Sequence, residues 1–187
     1  LFNEQERHAI RNLRAIARGN AQSLDYLASN VAIAKKDFET ALDHLHRIDA
    51  AEADNAGFQL RLGNAYLELR QNEAAETCFL RAQELDPENP DAHTALCRSY
   101  LQRRQNQQAL DQATAAIGLK YHFPPAHYFL GIARHRLDDI EGAVEALERA
   151  IAQNPNFAEA HTRLALIYDK RLGDPKRAEA HRSQGAD

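Results

Sequence analysis

A leucine recurs at a fixed step of 34 residues: Leu62, Leu96, Leu130 and Leu164. The surrounding strings, QLRLGNAYLE, HTALCRSYLQ, HYFLGIARHR and HTRLALIYDK, set each of them in the same local context. A period between 20 and 50 residues marks a chain of stacked structural units, each burying its apolar face on its neighbours rather than in one central core. Such a chain presents long surfaces and points toward binding.

Other positions keep the same step. Ala41, Ala75, Ala109 and Ala143 form one series; Ala82, Ala116 and Ala150, with Ile48 one step earlier, form another. His93, His127 and His161 form a third, and Pro87, Tyr121 and Pro155 a fourth. Pairs of alanines seven apart, such as Ala75 and Ala82, share one face of a helix, and small side chains there let two helices approach closely. Leu62, Tyr66 and Leu69 have the i, i+4, i+7 spacing of a buried stripe. RQN (70–72) and DD (138–139) are polar breaks. DPENPD (86–91), YHFPP (121–125) and NPN (154–156) end helices, because proline cannot continue one. Each period therefore reads as two helices with a proline-marked joint after the second.

The fullest copy, Leu62, Gly63, Tyr66, Ala75, Phe79, Ala82 and Pro87, resembles the tetratricopeptide (TPR) repeat, a helix–turn–helix unit. The resemblance implies an all-α fold, a right-handed superhelical solenoid of antiparallel helix pairs with about 4.5–5 repeats. Laid along the chain, the frame predicts repeats at 56–89, 90–123, 124–157 and 158–187, the last ending in a capping helix from about Pro175 to Gln184. A degenerate repeat covers 22–55, and 1–21 reads as a partial repeat or packing helix, helical over about 3–18. All are expected to form one solenoid domain. Departures from the pattern are visible. Gln59, His93, His127 and His161 stand in an aromatic slot, and Cys97 and Ala165 stand where Gly63 and Gly131 do. Arg134 replaces the tyrosine of Tyr66, Tyr100 and Tyr168, and an extra residue in LGDPK puts Ala178 35 residues after Ala143.

The chain of 187 residues carries a net charge of −4 and a pI near 6.1, which argues against general nucleic-acid binding. No apolar run has the ~18 residues of a membrane span, and no signal peptide is visible. The start at Leu1, within what reads as a repeat, suggests a piece of a longer protein. Cys78 and Cys97 read as small buried thiols in helix seams and constrain the compartment little. The balance leans to the cytoplasm and leaves the periplasm open. The histidine ladder reads as packing rather than metal binding, since equivalent helices stand at least ~8–10 Å apart and two nitrogens sharing zinc must each lie ~2 Å from it. His93, Cys97 and Cys78 are the one alternative ligand set. Phosphate-loop, dinucleotide, nucleophile-elbow and zinc-protease motifs are absent. No catalytic residue, metal or cofactor is expected.

In the family that the chain resembles, the first helices of successive repeats line a concave groove. Carried over by position, the resemblance implies a peptide-binding lining of Asn30, Leu60, Asn64, Leu67, Thr94, Arg98, Leu101, Tyr128, Ile132 and His135, continued by Thr162, Leu166 and Asp169. Leu60, Leu67, Tyr128 and Ile132 are expected to be exposed, and Arg61, Arg98, Arg136 and Arg163 to tilt the surface positive. Such a groove suits an acidic-amphipathic helix or an extended segment with apolar anchors. The carboxylate clamp of chaperone-tail binders is not matched as a set: counted from the repeat at 56–89 only Asn64 fits, with Leu60, Ala95, Pro125 and Phe129 where polar or basic groups are needed, and counted from 90–123 only Arg163 fits. The leading expectation is a non-catalytic interaction scaffold that binds a protein, a peptide or another domain of its parent chain. The alternatives are a regulatory or substrate-docking tail of a larger enzyme, and a self-associating module that forms homo-oligomers.

Overall fold

The computed structural model describes residues 24–25, 27–48 and 54–185. The helix expected at 3–18 lies outside them. Among the described residues all regular structure is helical, and no helix is long and apolar enough to cross a membrane. The helices are α1 (27–34), α2 (Phe38–Leu45), α3 (Ala56–Glu68), α4 (Asn72–Leu85), α5 (Pro90–Gln102), α6 (Asn106–Leu119), α7 (Pro124–Arg136), α8 (Ile140–Gln153), α9 (Ala158–Ile167) and α10 (Pro175–Gln184). First helices begin at 56, 90, 124 and 158, on the leucine step, and second helices at 38, 72, 106 and 140 follow the same step. The result is an all-α array of helix pairs.

Capping chemistry sets these boundaries. Asn55, Asn89, Asp139 and Asp174 each accept a backbone N–H of the helix that follows, which satisfies donors with no intrahelical partner. Pro90, Pro124 and Pro175 sit in the first turn, where the missing N–H costs nothing. The joint prolines thus open the next helix as well as closing the joint.

The turn inside each pair is built the same way every time. Lys36, Arg70, Arg104 and Asp138 lie in the left-handed region at φ of 60–69°. The next residue donates its N–H back to the carbonyl of the preceding helix: Asp37 to Ala32, Gln71 to Tyr66, Gln105 to Tyr100 and Asp139 to Arg134, at 2.9–3.0 Å. This is the wide closing bond of a helix that ends on a left-handed residue. The last pair has one residue more. There α9 runs into a π-helical turn, Tyr168–Leu172, the left-handed place falls to Gly173, and Asp174 still closes on the carbonyl of Tyr168. A π turn accommodates one extra residue within a helix. The insertion is absorbed at the end of the first helix, and α10 starts at 175 rather than 174.

The chain divides into two compact units, Leu1–Cys78 and Phe79–Asp187. In the first, α2 packs on α3, with Leu42, Leu45, Phe58 and Ala65 at the centre. In the second, each of α6 to α10 packs on the helix before it, and the first helices α5 and α7 also touch. One of its clusters joins α8, α9 and α10 through Ala143, Leu147, Ala150, Leu164, Ile167, Tyr168 and Ala178. Ala41, Ala75, Ala82, Ala109, Ala116, Ala143, Ala150 and Ala178 expose no surface, as seam alanines should.

Candidate functional site

Three buried histidines brace the joints of the second unit. His93, His127 and His161 bring Nε2 to the carbonyls of Pro87 (3.3 Å), Tyr121 (2.9 Å) and Pro155 (2.9 Å). Acceptor and histidine are six residues apart each time, so two of the sequence ladders are one device. A carbonyl only accepts, so in His127 and His161 Nε2 carries the proton and donates, whereas in His93 the amide oxygen of Gln112, 2.8 Å from Nδ1, competes for it. An aromatic hydrocarbon in this slot would fill the space and leave that carbonyl unpaired. Nδ1 then differs by repeat: it meets the amides of Gln83 and Gln112 in His93, has no partner in His127, and lies 3.0 Å from His181 Nδ1 in His161. Among the described residues no three His, Cys, Asp or Glu side chains gather closely enough to hold a metal ion. Cys78 and Cys97 are free and buried, and burial pushes their thiols up to about 11 and about 12.

The surface chemistry of the second unit lies along α5, α7 and α9. A cavity of about 730 Å³ is lined by Tyr128 of α7, by Ala158, Glu159, Thr162, Arg163, Ala165 and Leu166 of α9, and by Asp169, Arg182 and Gly185. Four of the groove positions, Tyr128, Thr162, Leu166 and Asp169, therefore meet in one place. Leu166 is 43 % exposed there. The half-buried Tyr128 ring is held by Phe129 and Phe157 at 5.1–5.2 Å between centroids, and Asp169 pairs with Lys170 and Arg182, both at 3.2 Å. A second cavity of about 390 Å³ is lined by Leu101, Gln102, Arg104, Asn106 and Arg136. Arg136 reaches back from α7 to donate to the carbonyl of Leu101.

Several expected groove residues are buried. Leu67 and Ile132, expected to be exposed, are 1 % and 6 % exposed. Thr94 and Leu101 are buried too, and the Thr94 hydroxyl is spent on the Asp91 carbonyl (3.0 Å). Ile132 is an apolar residue on the face of α7 that meets its neighbours, and burying it there releases more free energy than exposure to water would. Arg98 and His135 are partly exposed, as are Asn30, Leu60 and Asn64 in the first unit.

Positional reasoning missed Arg104 and Arg171. Arg104 is the left-handed residue of its turn, and Arg171 lies in the π turn, where it pairs with Asp138 and holds that carboxyl below the ordinary range. Both lie past the last groove position of their helices, so a count along the first helix stops short of them. His135 records the result. Its pKa is lowered first by partial burial and then by the charges of Arg163, Arg171 and Arg136, against Asp138. Arg136 is lowered in the same way, by partial shielding and by Arg163 and Arg104.

Repeated helix pairs, left-handed turns at one step and alanine seams define a helical-repeat protein of the interaction-module class. The tetratricopeptide repeat family matches residues 32–96 and again 133–170, and the chain belongs to that family. RNA polymerase II-associated protein 3 of Xenopus tropicalis is 27 % identical over 116 residues, 62 % of this chain and 18 % of that protein, so the chain spans about a fifth of its length. MamA 41-end from Desulfovibrio magneticus RS-1 superposes with a TM-score of 0.71 at 23 % identity, over 89 % of this chain and 93 % of that one. The first TPR of Spaghetti (RPAP3) bound to the HSP90 peptide SRMEEVD superposes with a TM-score of 0.58 at 26 % identity, over 61 % and 90 %.

Proposed function

We propose that this chain is a non-catalytic scaffold that receives a segment of another protein on its first-helix face. The observation that carries the reading is the cavity at Tyr128, Thr162, Leu166 and Asp169, where an exposed leucine and a braced tyrosine stand beside arginine and carboxylate groups. Apolar anchorage ringed by a few polar groups is how grooves take extended or helical segments. The RPAP3 domain bound to the HSP90 peptide is a related array engaging a short peptide, which supports a peptide as ligand here. In the first unit, Asn30, Leu60 and Asn64 are the candidate contacts, with Leu67 as packing beneath.

The test is a selection from a random peptide library on the immobilised protein. Tyr128→Ala and Leu166→Glu should each weaken the selected peptides more than tenfold while the far-ultraviolet circular dichroism stays the same. Peptides that bind both variants as tightly as the parent would place recognition off this face.

A further inference from the structure

The arginines of the second unit are unevenly neutralised. Arg134 lies 3.6 Å from Asp139, Arg149 pairs with Glu145 (2.6 Å), Arg171 with Asp138, Arg177 with Asp174 (3.4 Å), and Arg182 with Asp169 (3.2 Å). Among the described residues, Arg104, Arg136 and Arg163 have no carboxylate within ion-pair distance. They come from three different repeats: the turn after α5, the last turn of α7, and the middle of α9. Arg104 and Arg136 share the wall of one cavity, Arg163 lines the other, and Arg136 feels both of its fellows. Like charges held together in a chain of net charge −4 cost free energy unless a counter-charge arrives. The rigid guanidinium fork is well matched to carboxylate geometry.

We infer that Arg104, Arg136 and Arg163 form an anion-binding rail, and that it receives the side-chain carboxylates of an internal acidic protein segment whose apolar residue seats at Tyr128 and Leu166. This rests on the first-helix face being the docking surface. The rail differs from a clamp for a chain terminus: Arg163 stands at a clamp position, but Leu60, Ala95, Pro125 and Phe129 stand at others and bind no anion. Carboxylates therefore come from side chains along the segment. Nucleic acid fits less well: a chain of net charge −4 lacks the broad basic footprint that a phosphate backbone needs. The stacking platforms that single strands use reduce there to Tyr128, whose ring is already engaged by Phe129 and Phe157.

Fluorescence anisotropy tests the rail with an acetylated, amidated peptide of one leucine flanked on each side by four glutamates, and with its glutamine counterpart. The glutamate peptide should bind at least tenfold more tightly, with an affinity that falls as salt rises. The triple variant R104Q/R136Q/R163Q should abolish that preference, and the triple Arg→Lys variant should restore most of it, which separates charge from folding. In the parent protein, the imidazole titration of His135 should move up with the glutamate peptide and less with the glutamine one, since carboxylates offset the arginine field. Equal affinity for the two peptides, or an undiminished preference in the triple Gln variant, overturns the rail. So does displacement of the glutamate peptide by polyuridylate at lower concentration than by the unlabelled peptide. If the glutamine peptide binds equally well and is lost in Leu166→Glu, the docking face stands and the rail falls. If neither peptide binds, both fall.

Discussion

Gly131 and Cys97 occupy the same place one period apart, and their partners explain why both are tolerated. A Cβ on Gly131 would stand 2.6 Å from Cγ of Leu147 and 3.1 Å from the Ala143 carbonyl. One period earlier the place of Leu147 is taken by Ala113, whose backbone contacts the Cys97 thiol. Volume is exchanged between the two helices of a pair, so the seam stays filled. Gly131→Ala should therefore cost about 1–3 kcal/mol by urea denaturation. Leu147→Ala should cost about 2–5 kcal/mol by leaving a cavity. The double variant should lose less than the sum, because each change relieves the other; strict additivity would show that the two sites do not share a seam. The exchange is legible in the sequence as a departure at Cys97, but its reason is not, since the partner lies on another helix. The thiols carry a further expectation. With Cys97 pushed up to about 12 and Cys78 to about 11, native protein should react slowly with Ellman's reagent at pH 8 and release its full colour only on unfolding.

At the scale of the element, the end of α9 and the docking of α10 hold what is special to the last repeat. The sequence shows an extra residue in LGDPK, but only the backbone shows that it becomes a π turn. Insertion sites in a helix–turn–helix are degenerate along the sequence, and the π turn, Tyr168–Leu172, lies mostly upstream of LGDPK. Deleting Lys170 should restore the ordinary step, convert the turn to α-helix and leave the melting temperature close to the parent's; loss of cooperative unfolding would sink this account. Docking of α10 also makes stability depend on pH. His161 Nε2 donates to Pro155, so its Nδ1 accepts from His181 Nδ1, and a single proton serves the 3.0 Å pair. His181 stacks on Tyr168, with Glu148 and Arg177 on the tyrosine hydroxyl. Its pKa is lowered, first by burial and then by His161, with Glu148 opposing. A histidine depressed in the folded state binds more protons unfolded, so stability is full above the ordinary value of about 6.5 and is lost as pH falls through the depressed one. Melting at pH 5 should lie below melting at pH 7.5, and His181→Gln should narrow the gap. His135, depressed in the same direction, keeps some of it.

At the scale of the whole molecule, helix order and pairing are legible in the 34-residue step itself, because one hydrophobic pattern is written several times. The proposed docking face is legible only in part. Positional counting names Tyr128, Leu166 and Asp169, which line one cavity, yet expects Leu67, Thr94, Leu101 and Ile132 to face a groove when they are buried. It passes over Arg104, which belongs to a turn. Helix α10, PKRAEAHRSQ, buries Ala178 against the cluster of Leu164, Ile167 and Tyr168 while its other described side chains stay at least partly exposed. A chain ending at Asp174 should uncover that cluster, bind a hydrophobic dye and self-associate in light scattering as concentration rises. If the shortened chain stays monomeric and melts where the parent does, the cluster at Leu164, Ile167 and Tyr168 is stable without α10.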